Sequence, residues 1–575
     1  MITARIQRRG ATLLCAGALL AAAMPAGAQL PEKLVLDGNI FWDNDAGSYS
    51  ATSGGLTCPG GAYTVTDLAT VKFTRNRDID PKLNAAVYDF SNPRWDPQAG
   101  SPALGLWGAL LVRPSSFDAW FEDVCYAGAV NYTGGDDSKD WTRDWTYYNT
   151  AGGLGRTDIN LAKPLVTVTT DVAANTVWSN ANNYALVGRI AVLGGVTLEI
   201  QPGTVVLGSG VGSFLVIERG GRLQAEGTRA EPIIFTSDAD FTQGFQAPGD
   251  WGGVVLNGRA VANCSGTISP KCGLTDDTHP CQSEGDVLSF FGGADDDDNS
   301  GSLKYCRVEY AGFELSPNNE LNAWTFNAVG RGTTVDYIQG HAGSDDNLEW
   351  FGGAVRCKHL VSTAGQDDNI DWQMGFRGFI QFAVCQLSAL SDRGIEADNN
   401  EFGFNCAGRS NPVLANLTLI GRGPQAGGAQ GITLRRGTAA VIVNSIVQGF
   451  SSNGLQIQNE ETFANCAGAT PPLHSCNNAT DTQAGGGREG FTASIGRNPT
   501  FGPTTLSFRL PEPRHVTVRV FDVTGRLVGT LADGRFAAGP HTLDWDPSPQ
   551  VPAGAYFYQV AAGPENATGR ILVLK

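Results

Sequence analysis

The chain has 575 residues, with 40 basic against 57 acidic side chains and a net charge of −17. That balance argues against nucleic acid as a partner and suits the attraction of cations instead. Glycine is abundant, at 74 residues, and methionine scarce, at 3, which points to a turn-rich β protein.

Residues 1–28 read as a secretory leader. Arg5, Arg8 and Arg9 open it, an apolar run covers 11–23, and Ala26-Gly27-Ala28 precede a cut at Gln29. Cys15 lies inside the apolar run behind Leu13-Leu14, so it is no lipid anchor. Removing the leader takes three basic residues and no acids, leaving 37 against 57. No later run is long and apolar enough to cross a membrane. The expectation is an exported protein, secreted or held at the outer membrane surface. Eleven of the 12 cysteines stay, an odd number in a compartment that permits disulfides. Cys58 with Cys125, Cys466 with Cys476, and two of Cys264, Cys272 and Cys281 are the expected pairs. No spacing supports a zinc or haem site.

Residues 29–160 lack a repeat. Aromatic clusters such as Phe41-Trp42, Trp141 and Trp145 serve either as a sugar platform or, on the usual burial of aromatics, as a small core. From 161 to 459 the texture becomes regular. The phrase apolar–polar–apolar recurs at Trp324-Thr325-Phe326, Leu348-Glu349-Trp350, Ile370-Asp371-Trp372, Ile395-Glu396-Ala397, Ile432-Thr433-Leu434 and Leu455-Gln456-Ile457. That is the period of a strand with one buried face. The copies lie 22 to 25 residues apart, except for one longer step that holds the polar segment 398–410. A second strand phrase lies between copies, at 335–338, 355–361, 380–387, 413–419 and 441–447. So short a step leaves no room for a helical crossover, and the economical fold is a solenoid with one coil per repeat. The segment 260–302 interrupts the coils with three cysteines and the acidic run Asp295, Asp296, Asp297 and Asp298. Residues 460–497, with Gly485-Gly486-Gly487, read as a linker. Residues 498–575 alternate cleanly and read as a small antiparallel β-sandwich.

The phrases Gln201-Pro202-Gly203-Thr204, Glu218-Arg219-Gly220-Gly221-Arg222-Leu223, Glu231-Pro232-Ile233-Ile234-Phe235-Thr236-Ser237 and Trp251-Gly252-Gly253 resemble a group of exported bacterial right-handed parallel β-helix proteins. The resemblance covers about 167–459 and implies the fold, with no shared catalytic residues. The phrase at 99–104 resembles the closing coil of such proteins, although it stands before the solenoid. The tail resembles both the C-terminal sorting domain of the bacterial type IX secretion route and the Ig-like module related to the flagellar hook-cap protein. The first implies a partner in the export machinery. The expected fold class is therefore all-β: a right-handed parallel β-helix followed by a small antiparallel sandwich.

The repeated turns set acids at matching points of neighbouring coils. Glu349, Asp371 and Glu396 are the polar middles of three successive copies, and Asp345-Asp346 and Asp367-Asp368 precede two of them at equal offsets. Like charges about 4.8 Å apart oppose each other's ionisation. Three outcomes relieve this: side chains fanning into water, a bound hard cation such as Ca²⁺, or a pair with one raised pKa. Asp295, Asp296, Asp297 and Asp298 form a second set of cation candidates. The phrase Gly365-Gln366-Asp367-Asp368 resembles an acidic motif of polygalacturonase-like hydrolases, whose Gly-His-Gly and Arg-Ile-Lys phrases the chain lacks. His341 and His359 occupy different coil positions and make no metal pair. The functional expectation is a non-catalytic surface protein engaged in adhesion, matrix formation or glycan binding. The alternative is a polysaccharide lyase or hydrolase working through the acidic face.

Overall fold

The structure, a computed structural model, describes residues 159–239, 246–264, 272–316, 319–423 and 429–466. It adds shorter pieces between 34 and 148 and most of 493–573. The leader 1–28, Cys58, Cys125, Cys476 and most of the 460–497 segment lie outside the described residues.

The repeat phrases form one wall of a parallel β-helix. Nine parallel strands stack in chain order: Arg189–Val192, Phe214–Ile217, Gly253–Asn257, Trp324–Asn327, Leu348–Phe351, Asp368–Gln373, Arg393–Ala397, Gln430–Leu434 and Leu455–Ile457. Their alternation puts Leu348, Trp350, Ile370, Trp372, Ile395 and Ala397 into one continuous core. No single coil could bury that face alone.

The second phrase forms longer strands that bend once. Gly301–Glu309, Thr334–His341, Arg356–Thr363, Phe379–Gln386 and Val413–Ile420 pair in parallel register. Each carries one left-handed residue at the bend, with φ of 48° at Tyr305, 54° at Tyr337, 49° at His359, 62° at Phe382 and 58° at Asn416. A bulky residue in that conformation costs about 1–2 kcal/mol. Here the bends are in register, so their side chains stack. Tyr305 lies 4.4 Å from Tyr337, which lies 4.1 Å from His359, which lies 5.1 Å from Phe382. Ring contacts of this kind offset part of the backbone cost.

The N-terminal region, which showed no repeat, belongs to the solenoid's far end. Leu34–Asp37 pairs in parallel with Ala440–Val443, and Ile40–Trp42 pairs with Ile446–Gln448. Asn39 fastens the corner, donating to the Ile442 carbonyl at 2.9 Å and accepting from the Ser445 amide at 2.9 Å. Leu34, Leu36 and Phe41 thereby enter the main core. Strands 34–37 and 40–42, which precede the coils in sequence, thus follow them in space. The chain then returns along the outside of the long strands. Trp95 donates to Gln386, Glu122 and Tyr147 take the side-chain oxygens of Gln381 and Gln339, and Ala129 reaches Thr418. Trp95, Trp145, Tyr147 and Tyr148 build a second core against Val361, Val384, Ile420 and Ile446. Those aromatics fill a core, as their usual burial implies. His341 stacks on Tyr147 at 3.9 Å and His359 pairs with Asp336 at 2.7 Å, so both are packing residues.

The presumed linker begins as a helix, Glu460–Cys466, which corrects the sequence reading at that point. Glu460 and Glu461 suit its positive end, and Asn465 donates to the Gly437 and Thr438 carbonyls, tying the helix to the last coils. The interruption at 260–302 contains the antiparallel pair Cys281–Ser283 and Asp286–Phe291. It is pinned by Cys264–Cys281, one of the expected pairings, and by Cys272–Cys406, which was not foreseen. Cys272–Cys406 joins two loops 134 residues apart, a distance that local spacing cannot reveal. The C-terminal region forms two antiparallel sheets around a core of Phe508, Val518, Trp545, Tyr558 and Ile571.

Candidate functional site

Because strands of the nine-stranded wall stack in register, the outward middle residues form a column: Ala191, Val216, Val255, Thr325, Glu349, Asp371, Glu396, Thr433 and Gln456. The first three are apolar, and Val216 and Val255 pack with Leu321. The column then turns acidic for three coils. Glu349, Asp371 and Glu396 do not fan into water: they are 4%, 8% and 7% exposed. Asp346 and Asp368 are buried beside them, Asp345 is half-buried, and Asp367 is exposed at the turn.

The structure brings all seven acids together. Carboxylate oxygens of Asp346, Glu349 and Asp371 lie within 4.8 Å of one another, and so do those of Asp368, Asp371 and Glu396. Two further groups, Asp345 with Asp346 and Asp367, and Asp367 with Asp368 and Asp392, extend the cluster outward. Asp371 belongs to both inner groups.

These inner groups differ in what surrounds them. Around the second stand arginines. Arg393 contacts Asp368 at 3.2 Å and Glu396 at 2.5 Å. Arg435 pairs with Glu396, and with Asp398 at 2.8 Å; Arg436 also reaches Asp398 at 2.8 Å. The first group has no arginine. Glu349 accepts from the side-chain amides of Asn322 and Gln373, and Asp346 accepts from the Asp368 amide at 2.9 Å. The Asp371 carboxylate has no hydrogen-bond partner on its buried oxygen. Buried oxygens of Asp368, Thr325 and Gln373 are left in the same state. Buried polar atoms are nearly always paired, so such a concentration marks a site rather than a core.

Electrostatics follow the same division. Burial, reinforced by neighbouring carboxylates, drives the pKa values of Asp345, Asp346, Glu349 and Asp371 well above the usual range. Burial also lifts Asp368 to about 8 against the opposing pull of Arg393, and Asp398 to about 7 against Arg436. Burial lowers Arg435 to about 10, with Arg436 adding to the shift. On the interrupting hairpin, burial raises Glu284 to about 8, with Glu320 and Glu401 contributing.

Sequence reasoning missed Arg393, Arg435, Arg436, Asp398 and Gln373. A signal existed, since Arg435 and Arg436 directly follow the Ile432-Thr433-Leu434 phrase and Asp398 directly follows Ile395-Glu396-Ala397. The acidic run near 295 is engaged otherwise. Asp296 pairs with Arg377 at 3.0 Å, Asp297 pairs with Arg331, and Asp298 is buried against Ser300 at 3.1 Å. Among the described residues, no three acids of that run converge.

Residues 169–484 match the family model described as a pectate-lyase like beta helix domain. No curated protein matches the chain. Among solved structures, the enzymatically active domain of tailspike protein 4 from bacteriophage CBA120 is similar at 8% identity and a TM-score of 0.22. That alignment covers 72% of this chain and 64% of the tailspike chain, so about a third of the tailspike domain has no counterpart here. Tailspike protein 2 of the same phage aligns at 9% identity with a TM-score of 0.16, over 68% of this chain and 72% of that one.

Proposed function

The chain belongs to the pectate-lyase-like β-helix domain family, and from that premise we propose that it binds an extracellular polysaccharide along the outward face of the nine-stranded wall. The observation that carries this reading is the in-register column Glu349–Asp371–Glu396, which continues into Thr433 and Gln456. Carboxylates accept hydrogen bonds from sugar hydroxyls, and Arg435, Arg436, Gln456 and Gln458 line the half-buried edge beside them. One saccharide chain running along the stack would meet a new polar residue at each coil, about every 4.8 Å.

A second reading, cleavage of that polysaccharide, is favoured by one further feature. Asp368 and Asp398, with pKa values near 8 and 7, sit beside an arginine-bound Glu396. A carboxyl with a raised pKa beside an arginine-paired one is an arrangement that general acid–base chemistry uses. Incubating the full chain with neutral and acidic polysaccharides tests both readings. Retardation in an affinity gel without new reducing ends or unsaturated products supports binding alone. New products establish cleavage, and neither effect with any polysaccharide rejects both.

The address of the protein is part of the same reading. The leader-like segment 1–28 supports export, and the C-terminal sandwich serves as the export address. Deleting 498–575 should trap a folded solenoid in the periplasm of the native host. Unchanged surface display would leave the sandwich a purely structural role.

A further inference from the structure

We propose that the hairpin 281–291 closes one end of the saccharide face, so that the protein binds the end of a polysaccharide chain and not its interior. This rests on the saccharide reading above and adds which part of the polymer is held. The head of the outward column carries the sign of a closed end. Ala191, Val216 and Val255 are 0% exposed, and Thr325, next in line, is 2% exposed. A strand with one face in water alternates, yet Phe214–Ile217 and Gly253–Asn257 are buried on both faces.

Two layers cover them. Leu321 packs on Val216 and Val255. The hairpin turn packs on Leu321 in its turn: a Cβ at Gly285 would fall 2.5 Å from Leu321 Cδ2. Glu284, beside it in that turn, is near enough to Asp345 and Glu349 to help raise both their pKa values. The cover therefore ends beside Glu349, the first carboxylate of the column. It is also fixed in place. Arg189, on the first strand of the wall, pairs with Asp286 at 2.7 Å, and Ser289 donates to Glu218 at 2.8 Å. Asn327 donates to Ser283 at 2.8 Å, Cys264–Cys281 holds the hairpin's base, and Phe291 packs against Phe351 on the fifth strand. Anchors at both ends of that span keep the hairpin from lifting to let a polymer pass. At the other end of the column Gln456 and Gln458 stay half-buried. A saccharide laid along Gln456, Thr433 and Glu396 toward Glu349 meets the hairpin turn, and its last ring stops there. An internal stretch would need room on both sides of Glu349, where Leu321 and the hairpin already fill the space.

The test titrates the full chain with dextran, polygalacturonate or alginate, whichever the affinity gel retains. Fragments about tenfold shorter than the native polymer, yet longer than the column, should half-saturate the protein at about one tenth of the mass, because mass action then counts chain ends. Equal half-saturating mass at both lengths overturns the proposal and leaves the saccharide reading standing, since cutting does not change the number of internal sites per gram. No retention of any polysaccharide removes the saccharide reading and this one with it. A second protein, with 283–288 replaced by Gly-Gly, locates the stop. Once a cooperative melt shows it folded, its half-saturating mass should no longer depend on length. A dependence equal to that of the wild type would overturn the assignment to the hairpin, and if the variant does not fold the wild-type comparison decides alone.

Discussion

Ile370 and Asp371 are neighbours on one strand, yet they face opposite environments. Ile370 points into the stack between Leu348 and Ile395, inside the continuous apolar core. Asp371 points outward between Glu349 and Glu396, where like charges are brought together and left partly unpaired. Both columns arise from the same register. On the inner face, register makes packing cooperative. On the outer face it crowds buried acids together at a cost to stability, and a sequence that spends stability in this way is using the face for something else.

The inner column is the easier to break. Ile370→Asp buries a charge with no partner, and a thermal or denaturant melt should show a loss on the order of 3 kcal/mol or more. An unchanged melt would mean that the inner column has been assigned to the wrong face. Phe41→Ala asks whether the N-terminal strands are a true last coil. Phe41 is fully buried in the main core, so about 3 kcal/mol should be lost, and proteolysis should open near the helix Glu460–Cys466. Stability indistinguishable from wild type would make those strands a loose appendage.

The outer column should respond with the opposite sign. Asp371→Asn removes a buried acid that crowds its neighbours and leaves one oxygen without a partner, and should stabilise by about 1 kcal/mol. One position apart on one strand, the two substitutions should move the melting temperature in opposite directions. pH sharpens the contrast further. Asp368 and Asp398 have folded pKa values near 8 and 7, raised above the ordinary carboxylate range. The folded state therefore holds more protons, and stability falls as pH rises from the unfolded value through the folded one. The protein should melt higher at pH 5 than at pH 8, because burial outweighs the arginine contacts of both acids. A flat profile over that interval would show that the arginines neutralise both acids fully.

The two faces were also unequally legible. Period two in Leu348-Glu349-Trp350 and its copies is a local signal, so the strands, the inner column and the acids of the outer column could all be read from the chain. What accompanies those acids could not. Arg435 meets Glu396 only because coils 39 residues apart stack in register, and the step between them is lengthened by the 398–410 segment. Burial was equally hidden, because an acid in the middle of a strand phrase looks solvated until a hairpin such as 281–291 is folded beside it. The N-terminal closure was missed for a topological reason. Leu34–Asp37 and Ala440–Val443 are paired from opposite ends of the solenoid sequence, and no repeat runs through both.

Saccharide binding at the outer column is the claim on which the functional reading stands. It is tested most directly by calorimetric titration of the full chain with the polysaccharide retained in the affinity gel, beside the variant carrying Gln456→Ala and Gln458→Ala. Those two side chains are half-buried at the column's end and bonded to each other at 2.8 Å, so the variant should fold normally. We predict saturable binding by the wild type and at least fivefold weaker binding by the variant at an unchanged melting temperature. Equal affinity of the two proteins, or no saturable binding to the wild type, would contradict the account.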